Sequence, residues 1–144
     1  MTLYDNDQFI NVKRRLLRLG QFSSIFGRRG FQFGTMVTED LDTGESLMPY
    51  YVLSDDAEAF IKICYECGWI RADFDWGAWK DTSEAMELRD NSNAMASATP
   101  DQIAKLLTVL VRQERFCAGA LAGAFERGLL GAILRRAMTL APGQ

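Results

Sequence analysis

Apolar residues near the start of the chain recur every three to four positions, which is the period of an amphipathic helix. The pattern predicts a helix over residues 7–19, with Asp5 or Asn6 as its N-cap and Gly20 as its end. Its apolar face consists of Phe9, Val12, Leu16 and Leu19. The opposite side carries Arg14, Arg15 and Arg18. The helix is therefore expected to present a basic stripe to solvent.

Helical periodicity is poor between residues 22 and 53, where glycines are frequent and Asp42-Thr43-Gly44 is typical of a turn. One-in-two alternation places Phe31, Phe33, Thr35 and Val37 on one side. Residues 48–53 form an aromatic run that is typical of an extended strand. We expect an irregular segment or a small β-hairpin near residues 30–53.

A second helix is predicted to begin at the cap Ser54, with acidic residues in its first turn, and to end at Gly68. Residues 69–79 contain three Trp and one Phe without a clean period, which indicates a loop or short turns anchored in the core. A short helix is expected over residues 84–89, and residues 91–98 are interpreted as a connector.

The last third of the chain has the clearest helical signals. Residues 99–102, Thr-Pro-Asp-Gln, form a capping box with Pro at the first helical position. One helix should run from there to about Gln113, a second from about Phe116 to Arg127, and a third beyond Gly128. Taken with the earlier elements, these patterns predict a mainly α single domain of about five helices.

Small residues give the second of these helices an unusual face. Gly119 and Gly123 are spaced by four and flanked by alanines, so we expect another helix to approach closely there. A surface for self-association is the alternative.

The longest apolar run, residues 116–125, has ten residues and is too short to cross a bilayer, so we expect no membrane partner.

Composition narrows the possible chemistry. A length of 144 residues with 48% hydrophobic and 24% charged residues fits one globular domain. The chain has no His, which removes the usual general base and the commonest metal ligand. Its three Cys are too few for a disulfide framework and indicate reduced thiols in a cytoplasm. Cys64 and Cys67 form a CxxC, but their place on an apolar helix face favours core thiols over a metal or redox site. We predict no metal and no cofactor.

Charge is distributed unevenly along the chain. The net charge is −3, but residues 36–101 carry a net −11 whereas the segments before and after each carry +4. We expect the basic ends to fold against the acidic middle.

Five arginines near the start of the chain provide an alternative use for this charge, since they could contact phosphates if they converged on one face. They are Arg14, Arg15, Arg18, Arg28 and Arg29.

A candidate binding site lies in the aromatic segment and the junction between the C-terminal helices. It comprises Asp73, Asp75, Trp76, Trp79, Arg112, Arg115 and Phe116. The two carboxylates are hypothesised to be acid catalysts in an aromatic cleft, or alternatively to cap a turn or pair with an Arg such as Arg71. The two arginines at the junction are hypothesised to bond the last carbonyls of a helix, or alternatively to pair with Asp73 or Asp75.

The segment Leu106–Arg136, together with residues 74–79 and the run Cys67-Gly68-Trp69-Ile70, resembles a family of small bacterial proteins of unknown function. The resemblance covers roughly the C-terminal two-thirds of the chain. Family members often have Glu where this chain has Ala118, so any role of that acid is absent here. The resemblance implies a bacterial cytoplasmic protein and no substrate. The site that it implies comprises Asp75, Trp76, Arg112, Arg115 and Phe116.

Three functional hypotheses follow. The first is a non-catalytic interaction or regulatory module that binds another protein or a second copy of the chain through aromatic and Arg residues. The second is a nucleic-acid-associated factor that uses the five arginines, with a steep salt dependence. The third is an enzyme that uses Asp73 or Asp75 with Arg112 or Arg115 in an open pocket.

Overall fold

A computed structural model describes residues 3–45 and 48–141, and for residues 3–10 it describes the backbone only. In these ranges the chain forms nine helices and one two-stranded sheet. The helices are α1 (Leu3–Gly20), α2 (Phe22–Phe26), α3 (Asp55–Glu66), α4 (Trp76–Trp79), α5 (Ser83–Asp90), α6 (Ser92–Ala96), α7 (Pro100–Phe116), α8 (Ala120–Glu126) and α9 (Leu129–Leu140). The strands are β1 (Gly34–Val37) and β2 (Tyr50–Leu53). The predicted mainly α fold with a small hairpin is confirmed, and five of the helices have eight or more residues.

The core is built from the apolar stripes of the longer helices. α9 packs against α1, α2, α7 and α8, and α1 also contacts α3. The central positions are fully buried, among them Leu19 of α1, Phe60 of α3, Leu107 of α7 and Ile133 of α9. None of the helices within the described ranges combines the length and the apolar content needed to cross a membrane.

The first helix begins earlier than predicted and ends at the predicted residue. Its backbone is helical from Leu3, so Asp5 and Asn6 lie inside the helix rather than at its N-cap. Gly20 is the last residue of α1, but it serves close packing, since a Cβ there would lie 2.5 Å from Sδ of Met138 in α9. The predicted face includes Leu16 and Leu19, which are buried, and Val12, which is 36% exposed, whereas the side chain of Phe9 lies outside the described set.

The hairpin is antiparallel, with Gly34 opposite Leu53 and Val37 opposite Tyr50. Along the predicted alternation, Phe33 is buried, Thr35 is exposed and Val37 is partly buried, so burial decreases beyond Phe33. The hairpin is held by an aromatic cluster in which the ring of Phe33 stacks on Phe125 of α8, with centroids 5.3 Å apart.

Local capping determines where the middle helices begin and end. Ser54 accepts a hydrogen bond from the N–H of Ala57, as predicted. Gly68, at φ +75°, ends α3 by donating to the carbonyl of Tyr65 while Trp69 donates to that of Cys64, which is the Schellman pattern. The predicted connector at 91–98 contains the short helix α6, which Asn91 caps.

The capping box of α7 is confirmed in both directions, between Thr99 and Gln102. The predicted boundary between this helix and the next is wrong, because α7 continues to Phe116 and α8 begins only at Ala120. Gly119 is the left-handed N-cap of α8 at φ +95°, and a Cβ on Gly123 would meet only the Arg127 side chain. The predicted close helix packing across these two glycines is therefore wrong.

Candidate functional site

The end of α7 is fixed by an acidic side chain. The carboxylate of Glu114 accepts hydrogen bonds from the backbone N–H groups of Gly119 and Leu121, at 3.1 and 2.9 Å. An anion at the N-terminus of α8 is favourable because unpaired N–H groups and the helix dipole both point toward it. The bonds hold residues 117–119 in a tight connection, with Phe116 at its start.

The single turn α4 is positioned from two sides. Asp75 caps it by accepting from the N–H of Ala78 at 3.1 Å. Trp79, which is only 8% exposed, donates from Nε1 to Glu84 at 2.7 Å, and Gln102 of α7 donates to the other oxygen of Glu84. These two bonds lower the pKa of the Glu84 carboxyl, the bond from Gln102 contributing most. Trp79 therefore anchors α4 against α7.

With both elements fixed, Trp76 and Phe116 meet. Their rings are stacked, with centroids 6.3 Å apart and planes 26° from parallel. Phe116 remains 81% exposed, whereas Trp76 is partly buried and packs on the edge of the core. An aromatic ring this exposed can still bury a large apolar area against a ligand or partner.

Beside the stacked pair lies a cavity of about 320 Å³, which we call the aromatic hollow. It is lined by Trp76, Lys80, Gln113, Phe116, Cys117 and Ala120. Lys80 follows Trp76 by one helical turn, and Gln113 precedes Phe116 by three residues. No carboxylate lines this cavity among the described residues, so its character is apolar with one cation at the margin.

A second cavity, of about 630 Å³, adjoins the first and shares Lys80 and Gln113 with it. Its base includes apolar side chains of α7 and α9, among them Leu106, Leu110 and Leu129. Its charged residues are Lys80, Arg89, Asp90 and Arg127. Since three basic residues and one acidic residue line this cavity, we call it the basic hollow.

The predicted site residues are only partly brought together. Trp76 and Phe116 form the stack, whereas Trp79 is largely buried and lines the basic hollow. Asp73 and Asp75 are exposed and line neither hollow.

The predicted partners of the charged site residues also differ from those in the structure. Within the described ranges Arg112 and Arg115 form no ion pair with Asp73 or Asp75. Arg71 pairs with Asp101. Contacts at the α7–α8 junction are made by the acid Glu114 and not by the two arginines.

The basic stripe predicted for α1 is largely engaged in contacts within the protein. Arg15 donates from Nε to the carbonyl of Cys67 at 2.5 Å and lies over the ring of Trp69, 4.6 Å from its centroid. Burial lowers the pKa of this guanidinium. Arg15 thus fastens α1 to the end of α3. It is only partly buried, and together with Arg14 and Arg18 it lines an open surface cavity of about 510 Å³.

The remaining arginines of that group divide into paired and exposed side chains. Arg18 pairs with Glu66 and Arg28 with Asp56, at 3.4 and 2.8 Å. Arg14 and Arg29 are exposed. The two ion pairs confirm that the basic start of the chain folds against its acidic middle.

The thiols occupy different environments. Cys64 and Cys67 are buried and free, as expected for core thiols, and burial raises the pKa of Cys64. Cys117 is exposed at the edge of the aromatic hollow. In the part of the chain that the structure describes, no three Cys, Asp or Glu side chains form a group that could hold a metal ion.

Sequence reasoning missed several residues of the two hollows. Lys80 and Gln113 could have been found, since each lies one helical turn from an aromatic residue already singled out. Arg89 and Arg127 carry no such signal, because Arg89 lies in α5 and Arg127 follows α8, and only the tertiary packing brings them to one cavity.

Residues 12–142 match the family model of DUF6508, a family of unknown function, and the chain belongs to this family. The match includes the second half of α1 and so extends beyond the C-terminal two-thirds expected from the sequence resemblance. No curated protein and no solved structure matches the chain.

Proposed function

We propose that this member of the DUF6508 family is a non-catalytic interaction module, and that it binds a segment of another protein at the aromatic hollow. The observation that carries the proposal is the Trp76–Phe116 stack, in which Phe116 is 81% exposed beside an apolar cavity of about 320 Å³. An aromatic side chain that projects next to an apolar cavity is typical of an interface centre that a partner side chain fills.

The rigidity of the surroundings favours this function. Glu114 fixes the chain just after Phe116, and Asp75 with Trp79 fixes the turn that carries Trp76. A prearranged site loses less side-chain entropy on binding than a mobile one. Covering Phe116 should contribute roughly 1.5–3 kcal/mol, which corresponds to about a 10- to 100-fold gain in affinity.

The two alternatives have less support. An enzyme that uses Asp73 or Asp75 with Arg112 or Arg115 requires these groups in one pocket, and neither hollow includes them. A nucleic-acid-associated factor requires free arginines, yet Arg15, Arg18 and Arg28 contact other parts of the protein.

The test compares capture of partners by wild type, Phe116→Ser and Met86→Ser from a lysate of the source organism, at low and high salt. Met86 is an exposed apolar residue, 45% accessible, that lines neither hollow, so it is a matched control. We expect a stoichiometric protein that survives high salt with wild type and Met86→Ser and is lost with Phe116→Ser. The same difference must be reproduced with the two purified proteins.

Three results would overturn the proposal. Capture of the same protein by Phe116→Ser would show that the hollow is not the docking site. A wild-type dimer that Phe116→Ser abolishes, measured by sedimentation equilibrium, would identify a second copy of the chain as the occupant. Nucleic acid that is captured alone and lost at high salt would favour the arginine hypothesis instead.

A further inference from the structure

We infer that the segment bound at the aromatic hollow carries an acidic side chain next to its apolar anchor, and that the basic hollow binds this acid. The inference rests on the proposed function and adds the chemistry of the partner. It is based on the adjacency of the two cavities, both of which are lined by Lys80 and Gln113.

The charge of the basic hollow is the first argument. Lys80, Arg89 and Arg127 face it with Asp90 as the one acid among its lining residues, in a chain whose net charge is −3. The excess of positive charge is therefore a local feature of this cavity and does not reflect the composition of the protein.

The second argument is that these cations are not used by the fold. Elsewhere in the described ranges, Arg18, Arg28 and Arg71 each pair with an acid on another element. Arg89 and Arg127 form no ion pair or side-chain hydrogen bond there. In the same ranges the ion pair of Lys80 is with its chain neighbour Asp81, whose side chain is 70% exposed.

The third argument is the shape and floor of the cavity. Its volume of about 630 Å³ accommodates several side chains, and its lining includes the apolar residues Leu106, Leu110 and Leu129. A guanidinium beside an apolar floor is less screened by water than one on an open surface, so a carboxylate placed there gains a stronger charge-assisted hydrogen bond. An acidic peptide fits both the apolar base and the cationic margin.

The experiment selects peptides from a random twelve-residue phage library on four proteins. They are wild type, the single variant Phe116→Ser, the double variant Arg89→Gln with Arg127→Gln, and the double variant Arg14→Gln with Arg29→Gln. The last variant removes two exposed arginines that do not line the basic hollow, so it controls for the general loss of positive charge. Circular dichroism and thermal melting establish that each variant is folded.

We expect wild type and the Arg14/Arg29 variant to enrich peptides that carry an apolar or aromatic residue at a fixed distance from Asp or Glu. Peptides enriched on the Arg89/Arg127 variant should still carry the apolar residue but should no longer carry the acidic one. For a synthetic peptide from the selection, changing its acid to the amide should weaken binding about 10-fold to wild type and less than 2-fold to the Arg89/Arg127 variant.

The outcomes separate the inference from the proposed function. Enriched peptides that depend on Phe116 but show no acidic preference would overturn the inference and leave the proposed function standing. Equal loss of the acidic preference in both arginine variants would also overturn it. Enrichment that is unchanged in Phe116→Ser, or no enrichment on wild type, would remove support from both.

Discussion

Replacing Thr108 by Val tests how the aromatic segment is attached to α7. Thr108 is fully buried, and its Oγ1 accepts a hydrogen bond from the N–H of Arg71 at 3.0 Å. The hydroxyl hydrogen has two acceptors in reach, the carbonyls of Ala104 at 2.8 Å and Trp69 at 3.2 Å. Val has nearly the same shape, so the substitution removes these bonds while leaving the packing in place.

The expected cost follows from the group left without a partner. A buried N–H that loses its acceptor costs about 1–3 kcal/mol, and the N–H of Arg71 is only partly buried, so we expect about 2 kcal/mol for Thr108→Val. Thr108→Ser keeps the hydroxyl and loses one buried methyl, which should cost about 1 kcal/mol. For a domain of this size, about 2 kcal/mol lowers Tm by roughly 8 °C.

The assay is urea unfolding followed by tryptophan fluorescence, with the slope m compared between variants so that a change in midpoint reports stability. Hydrogen exchange of the Arg71 amide provides a local readout and should become faster in Thr108→Val only. A Thr108→Val protein within about 0.5 kcal/mol of wild type, or an unchanged exchange rate at Arg71, would refute this account of the attachment.

Two further predictions concern the thiols and the pH dependence of stability. In the native protein only Cys117 should react rapidly with a thiol reagent, since the two other cysteines are buried. After unfolding, all three thiols should react. Rapid reaction of more than one thiol in the native protein would contradict the structure. The hydrogen bond from Gln102 is the main reason why the pKa of the Glu84 carboxyl is lowered in the folded protein. The ionised carboxylate should therefore stabilise the protein at pH values above its usual pKa of 4.5. This contribution should disappear as the pH falls through the pKa of Glu84 in the folded protein. The stability difference between wild type and Glu84→Gln, measured by urea unfolding from pH 7 to pH 3, should therefore shrink below about pH 4.5, whereas a constant difference would show that the ionised carboxylate is not what matters.

The sequence by itself determined the features that depend on residues a few positions apart. The capping box at Thr99, the cap at Ser54 and the stop at Gly68 were all predicted, because each satisfies backbone groups within one or two helical turns. The same local periodicity indicated the buried stripe of α7 and hence the mainly α class. Where local signals are weak, as at the four-residue turn α4 and the boundary at Phe116, the prediction was incomplete or wrong.

Only the tertiary structure decided which side chains meet. Trp76 and Phe116 are distant in sequence and stack because Trp79 and Glu114 fix the two elements that carry them. Arg15 has the sequence pattern of a solvent-facing cation, yet it binds the end of α3, since an unpaired carbonyl at a helix terminus is a stronger partner than water at a partly buried position. Helical spacing assigns a residue to a face of its own helix, but what that face contacts depends on the packing of the whole chain.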